Sequence, residues 1–337
     1  MRFSRLMSAM LMAMAIVAQT AAGQNAQPVQ TPQPAAAPKI TRLILLGTQG
    51  GPRVNADRAQ SANVLIVNGT PYLVDAGNGV ARQLSLAHVP LPSIHQIFIT
   101  HNHDDHNADW GTLMGLAWTL GNTQPITVYG PRGTESMRQG FLRYFAPNAA
   151  AHFLEGAPNV PPATVIQARD IAAPGLIYRD ANIRVTAHEN CHYHFSKGTP
   201  GYHWQQSFAF RFDTPDRVIV FSGDTGPCGD ALADFAKGAD ILVHEVIDVP
   251  AIEAALRRPI PGLDTSPARI NALMTHMITE HSTPQEVGKT ASQAGVRMVV
   301  LSHLIPGAPT EPDSGYVEGV KEFYSGPVIV GRDLMEF

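Results

Sequence analysis

The segment Thr100-His101-Asn102-His103-Asp104-Asp105-His106 follows directly on the apolar stretch Ile97 to Ile99. It restricts the fold more tightly than any other part of the chain. Three imidazoles and two carboxylates fall within residues 101–106. A run this polar does not build core, whereas the β-branched and aromatic residues before it read as a strand. The cluster therefore sits on a loop where a strand ends. On such a loop the alternate residues His101 and His103 can point to one metal ion while Asp105 and His106 turn toward another. Imidazole and carboxylate donors suit zinc, with iron or manganese as alternatives. The chain carries 14 histidines against two cysteines, so imidazole rather than thiolate ligands are expected. The bland alternative is a histidine-rich surface loop, and the further donor residues below weigh against it.

The chain has 337 residues, 44% of them hydrophobic and 15% charged, the composition of a well-buried globular protein. Arg2 and Arg5 precede the apolar stretch Leu6 to Val17, and the small residues of 18–23 follow. That order reads as a cleaved export signal over residues 1–23, too short in its apolar part to span a bilayer. A periplasmic or secreted protein without a stable membrane anchor is the expectation. Residues 24–38 are Gln, Pro and Ala without periodicity and read as a disordered leader. The folded domain is then 39–337. The net charge is −4. Loss of the two arginines leaves 22 basic against 28 acidic residues, a net of −6. That balance offers no overall basic field for nucleic acid, and none is expected as a partner. Oligomeric state is not legible.

Short aliphatic runs at 40–46, 63–67, 72–75, 95–99 and 126–129 read as strands, with helices over 79–87, 110–120 and 133–145. The Ala- and Pro-rich stretch 146–175 lacks a clean period and reads as a loop-like insertion. Strands resume at 176–178, 182–187, 207–212, 217–221, 240–244, 297–301 and 328–330, with helices at 284–294 and 314–323. Two β-rich halves, each with helices, predict an α/β protein with sheets packed face to face and helices outside. Trp110 and Trp118 fall in a helical stretch and read as core. Trp204 and Tyr202 lie in a Gly-containing loop and are candidates for a pocket wall. An exported chain with two cysteines, Cys191 and Cys228, permits a disulfide, and buried free thiols are the alternative.

His101-x-His103-x-Asp105-His106 after a strand resembles the metallo-β-lactamase-fold hydrolases. Further motifs recur in the order of that family. Phe221-Ser222-Gly223-Asp224-Thr225-Gly226 resembles its strand-end aspartate between two metals, and Leu301-Ser302-His303 its last histidine ligand. Val74-Asp75-Ala76-Gly77 resembles the early motif that braces the histidine loop. The resemblance implies a four-layer αββα sandwich. It also implies two zinc ions, one held by His101, His103, His192 and Asp224, the other by Asp105, His106, Asp224 and His303. His192 best fits the family's offset past its strand, with His188 and His194 as alternatives.

Val243-His244-Glu245 and Glu280-His281-Ser282-Thr283-Pro284 resemble the ribonuclease Z and arylsulfatase-like branch, as does the segment Leu46 to Arg53. The implied chemistry is hydrolysis by a metal-bridging hydroxide oriented by Asp105 and Asp224. His281 would protonate the leaving oxygen, with Glu245 orienting the ring and favouring its imidazolium form. Between Phe145 and Tyr178 the one basic side chain is Arg169, so the projecting basic arm of ribonuclease Z is not expected. The expected substrate is a small molecule, a sulfate ester or phosphodiester, in a pocket walled by 146–175 and 198–206. β-Lactam or lactone hydrolysis and hydrolytic dehalogenation are the alternatives on the same fold. A periplasmic metal-binding module is the alternative without turnover.

Overall fold

The computed structural model describes residues 41–157, 159–202, 204–256, 264, 266–308 and 312–337. The expected signal segment and leader lie outside them. Thirteen strands form two sheets among the described residues. The first contains β1 (Thr41–Gly47), β2 (Ala62–Val67), β3 (Thr70–Val74), β4 (Gln96–Phe98), β5 (Ile126–Gly130) and β6 (Ile166–Asp170), in that spatial order. The second contains β7 (Gly175–Arg179), β8 (Arg184–Glu189), β9 (Phe208–Asp213), β10 (Val218–Phe221), β11 (Ile241–Ile247), β12 (Met298–Ile305) and β13 (Val328–Val330). Each sheet begins with antiparallel neighbours and continues with parallel ones, the change falling at β3/β4 and at β10/β11.

The alternation of side chains along these strands builds the layers. Leu43 and Leu45 of β1 and Leu65 of β2 pack with Phe210, Phe212, Ile219 and Val243 of the second sheet, forming the core between the sheets. Their neighbours Ile44, Leu46 and Val64 face the other way. There they meet α1 (Val80–Leu86), α3 (Trp110–Thr119) and α4 (Thr134–Leu154). A short α2 (Asp104–Asn107) precedes α3, and α5 (Pro162–Val165) precedes β6. The outer face of the second sheet is covered by α6 (Ala231–Phe235), α9 (Pro284–Ala294) and α10 (Asp313–Lys321). The result is the αββα sandwich. Phe98 lies edge-on to Phe212 at 5.3 Å and to Phe210 at 6.2 Å. These contacts, roughly 0.5–1.5 kcal/mol each, clamp the strand that leads into the histidine loop.

Two regions differ from expectation. Residues 146–175 are not a loop-like insertion. α4 continues through Pro147 to Leu154, and β6 pairs parallel with β5. An interior proline costs about 3 kcal/mol. Here it is offset by burial of Phe145 and Ala149 and by Trp118 packing against Phe145 and Phe153. The second region lies between β11 and α9, where the sequence reading places no helix. It holds α7 (Val249–Leu256) and α8 (Pro267–Glu280). α8 opens with Ser266, whose side chain accepts from the Arg269 N–H, followed by Pro267 at the first helical position. Met277 is its one buried residue, so little of it belongs to a core. No helix among the described residues is long and apolar enough to cross a membrane.

Candidate metal centre

The histidine loop leaves β4 and is held from beneath by Asp75, just past the end of β3. The Asp75 carboxylate accepts from the Thr100 N–H at 2.8 Å and the Thr100 hydroxyl at 3.0 Å, and it contacts His106 Nδ1 at 2.8 Å. Its backbone is left-handed, with φ 58°. An aspartate tolerates that conformation at some cost, which is typical of a residue fixed by its surroundings. Engagement of Nδ1 leaves His106 Nε2 aimed inward and buried, 3.2 Å from the buried Asp224 Oδ1. Neither atom has a well-aligned hydrogen bond.

His192 follows β8. Its Nδ1 donates to the Glu280 carbonyl at 2.9 Å, which leaves the Nε2 lone pair inward. His101 Nε2 and His192 Nε2 each lie 3.1 Å from His103 Nδ1. Three nitrogens converging in this way match the edges of a tetrahedron about zinc, ~3.3 Å for ordinary zinc–nitrogen bonds. Asp224 Oδ2 lies 3.7 Å from His101 Nε2. On the other side His303 Nε2 approaches Asp105 Oδ2 at 3.0 Å and Asp224 Oδ2 at 3.1 Å, with His106 Nε2 3.2 Å from Asp224 Oδ1.

The donor atoms of His101, His103, His192 and Asp224 lie within 4.8 Å of one another, and so do those of Asp105, His106, Asp224 and His303. Asp224 belongs to both groups. The donor set therefore fits two metal ions that share one carboxylate. His188 stacks on Phe235 instead, and His194 is exposed, so neither joins these groups.

Local structure explains the placements. β11 and β12 pair in register through Glu245 and Ser302, and then Val246 pairs with Leu304. His303 is thus the extra residue of a β-bulge, with φ 47°, and the bulge turns its ring toward the cluster. The Cys191–Cys228 disulfide ties the His192 segment to the chain beyond Asp224. Gly51 donates its N–H to Asp105 Oδ2 at 2.8 Å, and a Cβ there would run into the Asp105 carboxylate.

Electrostatics put His101, His192, Asp105 and Asp224 in the forms a metal needs, while at His106 and His303 the Asp224 and Asp105 carboxylates overcome burial and raise both imidazoles. Burial holds the His101 imidazole well below its usual range and His192 at about 3, so both are neutral. Burial pushes the Asp105 carboxyl up, but His106 and His303 outweigh it and bring it to about 2. Burial is likewise overcome at Asp224, which His106, His303 and His101 hold well below the carboxylate range.

His281 Nδ1 lies 3.2 Å from Glu245 Oε2, while Glu245 Oε1 accepts from the Thr225 and Ser282 N–H groups. The pair is not the imidazolium–carboxylate pair expected. Burial drives His281 down to about 4, and burial with the Asp224 charge drives Glu245 up. Together with His303 the pair forms a third convergent group. Thr283 caps α9 in a capping box with Glu286, which leaves Ser282 to serve Glu245.

Both groups open onto one cleft of about 410 Å³. Its walls are not residues 146–175 and 198–206. Gly51 and Pro52 form one side and a face of α8 another. Pairing with β5 draws residues 166–170 into the first sheet, and Trp204 lies under the Arg132 guanidinium at 5.0 Å. His276 of α8, not anticipated from the sequence, stands beside His281 with ring centroids 5.7 Å apart.

The Beta-lactamase superfamily domain profile matches residues 70–304. A ribonuclease Z of Mycobacterium bovis is 27% identical over 299 residues, covering 88% of this chain and 97% of that protein. Among solved structures, the metallo-beta-lactamase fold protein YhfI from Bacillus subtilis aligns with TM-score 0.61 and 18% identity. Human tRNase Z, short form (ELAC1), aligns with TM-score 0.59 and 22% identity, and each alignment covers 88% of this chain and 98% of the other. The ribonuclease Z relatives overturn the expectation of no nucleic-acid partner. Net charge sums over a whole surface, whereas phosphate contacts are local.

Proposed function

The chain belongs to the β-lactamase superfamily and is a metal-dependent hydrolase, and from that premise we propose that it is a dinuclear zinc phosphodiesterase cleaving RNA. The observation that carries this reading is Asp224, shared by two donor groups that face one cleft. The ribonuclease Z relatives, which the chain matches over nearly their full length, supply the substrate class. When bound, the ions supply Lewis acidity and an acidified water.

This chain's own residues do the rest. Asp105, fixed by the Gly51 N–H and His303, and Asp224 hold the reacting centre in one place. Glu245 orients His281 through Nδ1, which leaves Nε2 for the cleft that His281 lines. From there its imidazolium form, with the Nδ1 proton held by Glu245, gives the Nε2 proton to the leaving oxygen and returns to the neutral imidazole. We place the enzyme in an oxidising compartment outside the cytoplasm. The Cys191–Cys228 disulfide and the signal-like residues 1–23 support that placement.

Turnover by the zinc-loaded protein tests the substrate class. Bis(p-nitrophenyl) phosphate and a short RNA are expected to be cleaved far faster than p-nitrophenyl sulfate or a chromogenic cephalosporin. A sulfate ester or β-lactam turned over faster than both phosphodiesters overturns the reading.

A further inference from the structure

α8 sets Arg269, Ala272, Leu273, His276 and Met277 along the cleft, the spacing of a single helix face. At its inner end His276 is occupied, its Nδ1 lying 3.1 Å from Glu280 Oε2. Arg269 lies seven residues back, about 10 Å along the axis, at the exposed outer end. Between them Ala272 and Leu273 present an apolar strip, which Met277 continues past His276.

Arg269 is the one lysine or arginine among the described residues lining the cleft, and no described carboxylate forms an ion pair with it. The lining also carries Asp104, Asp105 and Asp224. Away from the donor groups, Asp104 is the one acidic residue of the lining and Arg269 the one with a permanent positive charge, so an anion there is drawn to this guanidinium. A long, planar cation at a cleft mouth matches a phosphate by paired N–H donors. The apolar strip leaves room for a sugar or base between two phosphates.

We propose that Arg269 binds a phosphate flanking the one that is cleaved, and so makes the enzyme select an RNA strand over an isolated diester. The proposal rests on the phosphodiesterase reading above. It differs from that reading in assigning selectivity to a helix outside the donor groups. One lost charge-assisted contact corresponds to roughly a tenfold change. A single phosphate contact on a single strand contributes about 0.7 to the salt slope.

The test compares kcat/KM for a short RNA and for bis(p-nitrophenyl) phosphate, across a sodium chloride series, with the zinc-loaded full chain. Arg269→Ala is expected to lower the RNA-to-diester ratio about tenfold and to flatten the RNA salt slope by about 0.7. Arg269→Lys, which keeps the charge but not the fork, should retain the slope while losing part of the ratio. If the wild type cleaves both substrates and Arg269→Ala changes neither ratio nor slope, the inference falls and the proposed function stands. Equal losses on both substrates overturn it too, because they mark a general defect. A wild type that cleaves no phosphodiester overturns the proposed function and this inference with it.

Discussion

Asp224→Ala is expected to release most of both metal ions and to lower turnover more than any other single substitution. Asp224 is the one residue common to both donor groups, with oxygens 3.1–3.2 Å from His303 and His106 and 3.7 Å from His101. Its loss opens both groups at once. Residues that merely brace a ligand typically cost roughly 10–100-fold in metal affinity or activity, and removal of a shared donor should exceed that. Metal analysis of the dialysed variant, alongside its circular dichroism, separates lost coordination from lost fold. A folded Asp224→Ala protein that keeps two equivalents of metal would contradict the assignment.

His281→Ala is expected to keep its metal and lose turnover in a way that depends on the leaving group. The ring reaches Glu245 through Nδ1 at 3.2 Å and belongs to neither four-residue group. General acid catalysis contributes on the order of 10²–10⁴-fold, so cleavage of RNA, with its poor alkoxide leaving group, should fall in that range. Release of p-nitrophenolate needs little protonation and should fall much less. Glu245→Gln should follow the same trend with a smaller loss, because it orients the ring without giving up a proton to the substrate itself. Equal slowing of both substrates would remove the general-acid role. Loss of a metal equivalent would instead make His281 a ligand, through the convergence of Glu245, His281 and His303.

The parts of the site that were legible in the sequence are those written as contiguous patterns. A polar cluster of donors can follow an apolar strand in few ways, so the 101–106 loop and the strand-end Asp224 could be placed before any coordinates. Asp75 followed from its motif, and its bonds to Thr100 and His106 supply the mechanism of bracing. His303 could be named, but the bulge that aims it depends on pairing with β11, a contact that no local pattern encodes. Among His188, His192 and His194 the decision came from tertiary structure. Only His192 finds the Glu280 carbonyl and the His103 ring.

What escaped the sequence reading has a common cause. α8 buries one residue and lies along a cleft rather than in a core, and the cleft wall was assigned elsewhere. α4 errs in the opposite direction, since a proline suggested a break that aromatic packing overrides. The reading of charge failed for a further reason. A net value of −4 averages over a surface on which Arg269 stands at one particular mouth. Likewise, the inference that Glu245 would charge His281 weighed the partner and neglected the burial, which is larger.

Two donor groups that share Asp224 and face one cleft call for two ions. Metal analysis of the purified full chain, loaded with zinc and mildly dialysed, tests this most directly. Close to two equivalents of zinc per chain are expected. A value that stays near one when zinc is added in excess would contradict the two-ion centre.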